Sequence, residues 1–419
     1  MKRSYIPDLD SVRAAQQRLQ SAVSATPLEQ NLAYSELYQA DVLLKREDLH
    51  QVRSYKIRGS YNKICRLLQS NDKTEHVVCA SAGNHAQGVA FTCSQLGIKA
   101  TVFMPVTTPR QKVEQVRMFG GDYVQTILTG DTFDEANLQA QAFCQKNHYA
   151  FVHPFDDPDI IEGQATIGLE LLQQSSKTFD YVFVPVGGGG LASGVAAIVK
   201  QLSPDTRIIG VEPKGAASMS VALKQGHPVK LDRIDRFVDG AAVQQVGKHT
   251  LAICQKYLHD VITVDEGHIC QTLLNLYTKD AIVVEPAGAL SIAGLAHYQH
   301  EIRGKRVVCI VSGSNNDITR IEDIREKALL YSGLKHYFIV QFPQRSGALR
   351  EFVGNILGPM DDITYFQYQK KNNREHGPAV IGIEIKRKKD FDPLLSKMKS
   401  HSFNYQYLND KPELFSMML

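Results

Sequence analysis

The chain has 419 residues, 43% of them hydrophobic and 22% charged, which is ample material for two or three folded domains. A formal net charge of +3, from 47 basic and 44 acidic residues, gives no electrostatic reason to expect nucleic acid as a partner. No run of about 18 apolar residues occurs, and "MKRSYIPDLD" lacks the apolar stretch of a signal peptide, so we expect neither a membrane span nor a secreted protein.

The first unusual element is "VRSYKIRGSYN", residues 52–62, which places Lys56 beside an aromatic residue and just ahead of an arginine and a glycine. One interpretation is a solvated lysine near the start of a helix, with its stem packed on Tyr55. The other is an amine held in a pocket for covalent chemistry, its pKa lowered by burial and by neighbouring cations such as Arg53 or Arg58. The fragment alone leaves both open.

From about residue 40 to 315, short β-branched runs alternate with longer helical ones. Examples are "HVVCAS" before "NHAQGVAFTCSQLG", "DYVFVPV" before "GGLASGVAAIVKQL", and "KRVVCIVSGS" near the end. This alternation predicts parallel βαβ units, which bind ligands at the carboxyl ends of their strands. Candidate site residues should therefore follow the strands.

The loop "SAGNHAQG", residues 81–88, follows one of these strands. Small residues before a helix leave backbone N–H groups available to a carboxylate or phosphate. The alternative is an ordinary strand-to-helix turn with Asn84 as the helix cap.

The loop "PVGGGGLASG", residues 185–194, follows another. Four consecutive glycines are costly in chain entropy unless the backbone must approach something closely. A dinucleotide-binding loop is a poor alternative. That motif requires an acidic residue at the end of a strand about 20 positions further on, and no acidic residue here fits that position clearly. We interpret the loop as a phosphate cradle at a helix N-terminus.

The loop "VSGSNND", residues 311–317, places Ser312 where its hydroxyl can reach a ligand across the strand ends. The seven cysteines are dispersed, as is typical of reduced thiols in the cytoplasm, and we expect no metal site.

An amine, a phosphate cradle, a carboxylate-sized loop and a hydroxyl together indicate pyridoxal 5'-phosphate bound through a lysine.

After residue 320 the pattern changes. "IEDIREKALLYSGL" is a charged helix, and the order that follows is strand, helix, two alternating strands and a closing helix. We expect residues 1–320 to form the catalytic domain, 321–335 a helical linker and 336–410 a small α+β domain of ferredoxin-like type without catalytic residues.

The segments "SYKIRGSYN", "ASAGNHAQGVA", "PVGGGGLASG", "VEPAGA" and "VSGSNND", in this order and spacing, resemble the fold-type II pyridoxal-phosphate enzymes. More narrowly, they resemble the biosynthetic threonine dehydratases (threonine ammonia-lyases). The tail, with "FPQRSGALREFVGNILG", resembles that family's ACT-like regulatory domain in a single copy. The resemblance implies an α/β fold with two parallel-sheet subdomains, like the tryptophan synthase β subunit, plus the ACT-like domain.

The resemblance also implies roles for individual residues. Lys56 forms the covalent link to the cofactor and acts as the catalytic base, and Ser312 bonds the pyridine nitrogen. Asn84 contacts the ring hydroxyl, and Glu285 lies near the cofactor, as does Tyr55, which stands where the commoner form of the family has Phe. The cofactor phosphate is held by Gly187, Gly188, Gly189, Gly190 and Leu191, and the substrate carboxylate by the loop of Ser81, Gly83, Asn84 and His85.

The implied reaction converts L-threonine to 2-oxobutanoate and ammonia, the first step of isoleucine biosynthesis, with activity on L-serine as well. Isoleucine, and in some cases valine, is the implied effector, and a cytoplasmic homotetramer is the implied assembly. Two alternatives stay open: a serine-preferring dehydratase or serine racemase on the same scaffold, and an inactive amino-acid sensor.

Overall fold

A computed structural model describes residues 5–70, 74–368, 375–411 and 413–415. The chain divides into two compact units, residues 1–318 and 319–419. The boundary expected at residue 320 falls close to this division, and the proposed division of roles between the domains stays a prediction.

The first unit alternates strands and helices along most of its length, as the apolar periodicity predicts. Its strands are β1 (Leu28–Gln30), β2 (Asp41–Arg46), β3 (His76–Ala80), β4 (Lys99–Met104), β5 (Val124–Leu128), β6 (Ala150–Phe151), β7 (Tyr181–Pro185), β8 (Arg207–Pro213), β9 (Asp260–Val264) and β10 (Arg306–Val311). Its helices are α1 (Leu9–Leu19), α2 (Leu32–Tyr38), α3 (Lys56–Ser70), α4 (Asn84–Leu96), α5 (Arg110–Gly120), α6 (Phe133–Asn147), α7 (Pro158–Gln173), α8 (Gly190–Leu202), α9 (Ser218–Gln225), α10 (Lys248–Tyr257), α11 (Glu266–Asp280) and α12 (Pro286–Ala293).

Two sheets organise this unit. The larger has the order β1-β2-β10-β7-β8-β9, with all pairs parallel except the antiparallel edge pair β1–β2. The smaller has the order β5-β4-β3-β6 and is parallel throughout. Strands such as β7 and β10 are continuous apolar runs because helices cover both faces of a parallel sheet. The predicted fold class is confirmed.

Helix α3 is packed closely against α7, and this contact fixes the helix that begins at Lys56. A Cβ added at Gly163 on α7 would lie 2.5 Å from the carbonyl oxygen of Arg58 on α3. Only glycine permits the two backbones to approach so closely. Helix α7 is itself capped by Asp157, whose carboxylate accepts the N–H groups of Asp159 and Ile160.

The second unit contains α13 (Ile321–Tyr331), β11 (Lys335–Pro343), α14 (Ala348–Asn355), β12 (Asp362–Tyr368), β13 (His376–Glu384), α15 (Phe391–Ser400) and β14 (Asn404–Tyr407). Its strands form an antiparallel sheet in the order β12-β13-β11-β14. The expectation that a helix closes the domain is wrong, since β14 follows α15 and pairs with β11. Residues such as Phe338 and Ile381 from the sheet and Phe352 from α14 form its apolar core.

None of the helices in the described ranges combines the length and apolar character that a membrane span requires. Nor do those ranges bring three or more histidine, cysteine or acidic side chains together as metal ligands.

Candidate active site

Three adjacent parallel strands carry the main candidate groups at their carboxyl ends. Strand β10 lies between β2 and β7, with Val311 opposite Arg46 and Cys309 opposite Phe183. The chain leaving β2 leads to Lys56, the chain leaving β10 to Ser312, and the chain leaving β7 to the glycine loop, residues 187–191. The topology therefore brings these three elements to one edge of the larger sheet.

Lys56 is the first residue of α3, and its amine points inward. Its Nζ donates to the carbonyl oxygen of Pro154 at 2.9 Å and lies 5.3 Å from the centre of the Tyr55 ring. Burial lowers the pKa of Lys56 to about 8, although the negative charge of Glu285 acts in the opposite direction. An amine with this pKa is more easily deprotonated than an ordinary lysine, which favours the covalent interpretation of Lys56 over the solvated one.

The expected contribution of neighbouring arginines to that pKa is also wrong. The guanidinium of Arg58 is turned away into a buried ion pair, with its Nε 2.7 Å from Glu47 and its Nη1 3.0 Å from Glu170. Its charge is balanced there by the two carboxylates. Burial, and not a nearby cation, is what lowers the pKa of Lys56.

Asn84 connects the two sheets. Its Nδ2 donates to Oε1 of Glu285 at 2.7 Å, and its Oδ1 accepts a hydrogen bond from Asn315. Asn84 follows β3 of the smaller sheet, whereas Asn315 follows β10 of the larger one. The alternative that Asn84 caps α4 is wrong, because the N-cap is Gly83 and no side chain bonds there.

Glu285 is almost completely buried in this cluster, and burial raises its pKa to about 7, with Asp239 adding to the increase. Its backbone N–H donates to the carbonyl of Gly313 at 3.2 Å, which ties it to the loop that carries Ser312. Asn315 donates to the carbonyl of Val52 at 3.1 Å, while its own Oδ1 is buried without a protein partner. An unpartnered buried acceptor of this kind is one that a ligand donor would satisfy.

The loop of residues 81–85 has an open backbone. The N–H of Gly83 donates to Oγ of Ser81 at 3.3 Å, and a Cβ at Gly83 would meet nothing within 4 Å. His85 is buried, which lowers its pKa to about 3, and its Nε2 donates to the carbonyl of Val152 at 2.9 Å. His85 is therefore neutral, so the N–H groups at the start of α4 are what this loop offers an anion.

The glycine loop leads directly into α8. Gly189 is the N-cap of that helix and has φ +91°, a conformation that side chains rarely adopt. Added Cβ atoms at Gly188 and Gly190 would lie 2.4 Å and 2.9 Å from side-chain atoms of Phe155. The loop thus needs glycine for its conformation and its packing, and the first N–H groups of α8 have no acceptor within the helix.

Ser312 is buried at the end of β10, and its Oγ donates to the carbonyl of Ala287 at 3.1 Å. Its oxygen is thus available as an acceptor, and donating to a ring nitrogen requires the hydroxyl to rotate. The backbone N–H of Tyr55 donates to the Ser312 carbonyl at 3.2 Å, which joins the lysine-bearing segment to this strand end. A hydroxyl cannot hold a pyridine nitrogen protonated as a carboxylate does.

These residues fit pyridoxal phosphate. They provide a half-buried amine with a lowered pKa, a glycine loop at a helix N-terminus, a neutral hydroxyl and an amide cluster with an unpartnered oxygen. A phosphorylated aldehyde cofactor requires an amine and an anion site together.

Sequence reasoning missed the segment "HPFDD", residues 153–157, which contacts several of these groups. Pro154 holds the Lys56 amine and Phe155 packs under the glycine loop. The segment follows β6, which has only two residues, so no strand pattern marked its position. Asn315 was also missed, although it lies inside the motif "VSGSNND".

Residues 19–313 match the family of pyridoxal-phosphate dependent enzymes, and residues 326–418 match the C-terminal regulatory domain of threonine dehydratase. The chain is 50% identical to the biosynthetic L-threonine dehydratase IlvA of Halalkalibacterium halodurans, over 98% of this chain and 99% of that one. The solved processed form of threonine deaminase isoform 2 from Solanum lycopersicum is 40% identical, with a TM-score of 0.71 over 77% of this chain and 94% of that one.

Maize serine racemase is similar in structure as well, with a TM-score of 0.71 and 30% identity over 78% of this chain and 99% of that one. That match covers 78% of this chain, whereas the bacterial dehydratase matches 98% of it, and a separate family match assigns residues 326–418 to the regulatory domain of threonine dehydratase. The chain therefore belongs to the pyridoxal-phosphate dependent enzymes and, within them, to the biosynthetic threonine dehydratases.

Proposed function

We propose that the chain converts L-threonine to 2-oxobutanoate and ammonia with pyridoxal phosphate attached to Lys56. The observation that carries the assignment of Lys56 is its half-buried side chain, whose amine contacts a main-chain carbonyl rather than a carboxylate and has a pKa lowered to about 8. A structural lysine would be expected to pair with an acid, as Lys45 does with Glu170.

Each residue of the site has a separate role in the proposed reaction. When bound, the cofactor supplies an electron sink for the negative charge that develops at the substrate Cα. Lys56 would take the Cα proton on Nζ, and the Pro154 carbonyl would orient that nitrogen. The backbone N–H groups beginning at Gly83 and Asn84 hold the substrate carboxylate. Ser312 leaves the ring nitrogen without a proton, which favours rapid loss of the β-hydroxyl over racemisation.

Comparing threonine with serine tests this function. We expect 2-oxobutanoate and ammonia from L-threonine in equal amounts, a lower kcat/KM for L-serine, and no D-serine. Enzyme reduced with borohydride serves as the inactive control. A higher kcat/KM for serine, or accumulation of D-serine, would favour the serine dehydratase or racemase alternative. An enzyme inactive on both amino acids would favour the sensor alternative.

We also propose that the second unit binds isoleucine, or valine, as a feedback effector. A cavity of about 330 Å³ lies within this unit beside the N-terminus of α14. Phe342, Phe366 and Tyr368 give it aromatic walls, while Arg345 and Gly347 lie at its helix end. Aromatic walls suit a branched side chain, and a helix N-terminus with an arginine suits a carboxylate.

Substituting Arg345 tests the effector site in the full chain. We expect Arg345→Leu to raise the isoleucine concentration for half-maximal inhibition by about 10- to 100-fold, since a hydrogen bond to a charged group contributes about 1.5–3 kcal/mol. Basal threonine turnover should not change. Arg387→Leu is the matched control, because both arginines are exposed and paired with an acid, Arg345 with Glu351 and Arg387 with Asp390, but Arg387 does not line the cavity. Equal inhibition of parent and Arg345→Leu would contradict the site.

A homotetramer is proposed from the resemblance, and the exposed Leu32 and Leu37 on α2 are apolar residues of the kind that subunit contacts cover. All seven cysteines are free thiols, six of them buried, which supports a reducing compartment such as the cytoplasm.

A further inference from the structure

Thr250 on α10 forms a hydrogen bond to the glycine loop, although no sequence motif marked this residue. Thr250 is fully buried, and its Oγ1 donates to the carbonyl oxygen of Gly188 at 2.7 Å. The backbone N–H of Gly247 also faces this carbonyl, but at 3.5 Å, where a hydrogen bond is weak. The Thr250 hydroxyl is therefore the principal partner of the Gly188 carbonyl.

This bond fixes the direction of the next N–H group. The structure contains no cis peptide bonds among the described residues. In a trans peptide, the carbonyl of one residue and the N–H of the next point in opposite directions. With the Gly188 carbonyl turned toward Thr250, the N–H of Gly189 points away from α10. It is followed in the chain by the free N–H groups of Gly190 and Leu191 at the start of α8.

The peptide between Gly188 and Gly189 needs such a restraint. Both flanking residues are glycine, so rotation of this peptide plane meets little steric resistance. A rotated peptide would present the negative end of the Gly188 carbonyl to an anion, where the N–H of Gly189 now lies. Thr250 also packs directly on the loop, since a Cβ at Gly189 would lie 2.9 Å from its Cβ.

Thr250 is itself held in place by Asp156. The carboxylate of Asp156 accepts the backbone N–H groups of Lys248 at 2.9 Å, His249 at 2.9 Å and Thr250 at 3.2 Å. It thereby caps α10, whose own N-cap, Gly247, has no side chain. Asp156 belongs to the same 153–157 segment that holds the Lys56 amine through Pro154.

We propose that Thr250 is a positioning residue for the cofactor phosphate, and that it acts by fixing the Gly188–Gly189 peptide with its N–H toward the phosphate. The inference rests on the proposed function, because it requires that the glycine loop binds the cofactor. It predicts that the Thr250 hydroxyl contributes to binding of the phosphate group and not to binding of the pyridine ring.

Thr250→Val removes the hydroxyl and keeps the shape of the side chain. The full-length protein is equilibrated by dialysis against pyridoxal phosphate, and separately against pyridoxal, which lacks the phosphate. We expect Kd for pyridoxal phosphate to rise about 10-fold, as for the loss of one hydrogen bond of about 1.4 kcal/mol, and Kd for pyridoxal to stay within about twofold. Thr250→Ser, which retains the hydroxyl, should restore the parent value.

Thr206→Val is the matched control, because Thr206 is equally buried and its hydroxyl donates to the Phe179 carbonyl at 2.7 Å, at the amino end of β8. It should bind both ligands as the parent does. Equal rises in Kd for the two ligands in Thr250→Val, or no rise in either, would overturn the inference alone. A parent protein that bound no pyridoxal phosphate would overturn the proposed function and this inference with it.

Discussion

Replacing Lys56 by alanine should lower kcat for threonine by at least about 10³-fold, the largest effect on activity that we expect from any single substitution. Two functions of the amine are lost together: covalent attachment of the cofactor and acceptance of the Cα proton. The fold should be retained, because alanine is a favourable residue in the first turn of a helix and Lys56 forms no ion pair in the described structure.

The measurement is single-turnover and steady-state formation of 2-oxobutanoate, with circular dichroism to verify the fold. Lys99→Ala is a suitable control, since Lys99 lies at the amino end of β4, away from the strand ends that form the site, and donates to the Asp122 carbonyl. It should retain parent activity. A Lys56→Ala variant within tenfold of the parent would remove Lys56 from the chemistry.

Replacing Glu47 by glutamine should lower the free energy of unfolding by about 3–5 kcal/mol, the typical cost of breaking a buried ion pair. Glu47 is fully buried and accepts hydrogen bonds from Arg58, His50 and Thr26. Lys45 and Arg58 are balanced there by Glu47 and Glu170, so the substitution leaves one buried positive charge without compensation.

The pH dependence follows from the same contacts. Burial alone would raise the pKa of Glu47, but the nearby Arg58 guanidinium holds it well below its usual value. A carboxylate with a lowered pKa in the folded state stabilises the fold above its unfolded pKa and loses that contribution as the pH falls through the folded value. We therefore expect the difference in stability between parent and Glu47→Gln to persist at neutral pH and to decrease in acid.

Urea unfolding measures this effect, and Glu114→Gln is the control. Glu114 pairs with Arg110 four residues earlier on α5, and both side chains are mostly exposed. Exposed pairs of this type contribute about 0.3–0.5 kcal/mol. If the Glu47 and Glu114 variants lost the same stability, the buried network would not hold the fold as described.

The parts of the site that sequence could predict are those encoded in contiguous segments. The glycine loop and Ser312 each directly follow an apolar strand, and the parallel βαβ rule places such positions at one sheet edge. Lys56 lies well beyond the end of β2 and was marked by its own motif. The confirmed fold class follows from the same alternation of strands and helices. The roles of the individual residues stay predictions that the substitutions above test.

The parts that sequence could not predict depend on tertiary contacts. The direction in which Arg58 points is decided by Glu170, 112 residues later in the chain. The local sequence around Asn84 is typical of a helix cap, but in the structure its side chain forms hydrogen bonds with Glu285 and Asn315 instead. Strand β6 has two residues, too few to show a period of two, so the 153–157 segment went unrecognised. Strand β14 has four residues that alternate polar and aromatic, the shortest run that can show this period, and it too was missed.

Peptide mapping of the borohydride-reduced holoenzyme tests the central claim, the attachment of the cofactor to Lys56, most directly. Reduction makes the link between cofactor and lysine permanent, and trypsin does not cleave after a modified lysine. We predict that the cofactor mass is found on the peptide of residues 54–58, "SYKIR", uncleaved at Lys56. Recovery of the cofactor on a different lysine, with residues 54–58 cleaved normally after Lys56, would contradict the account.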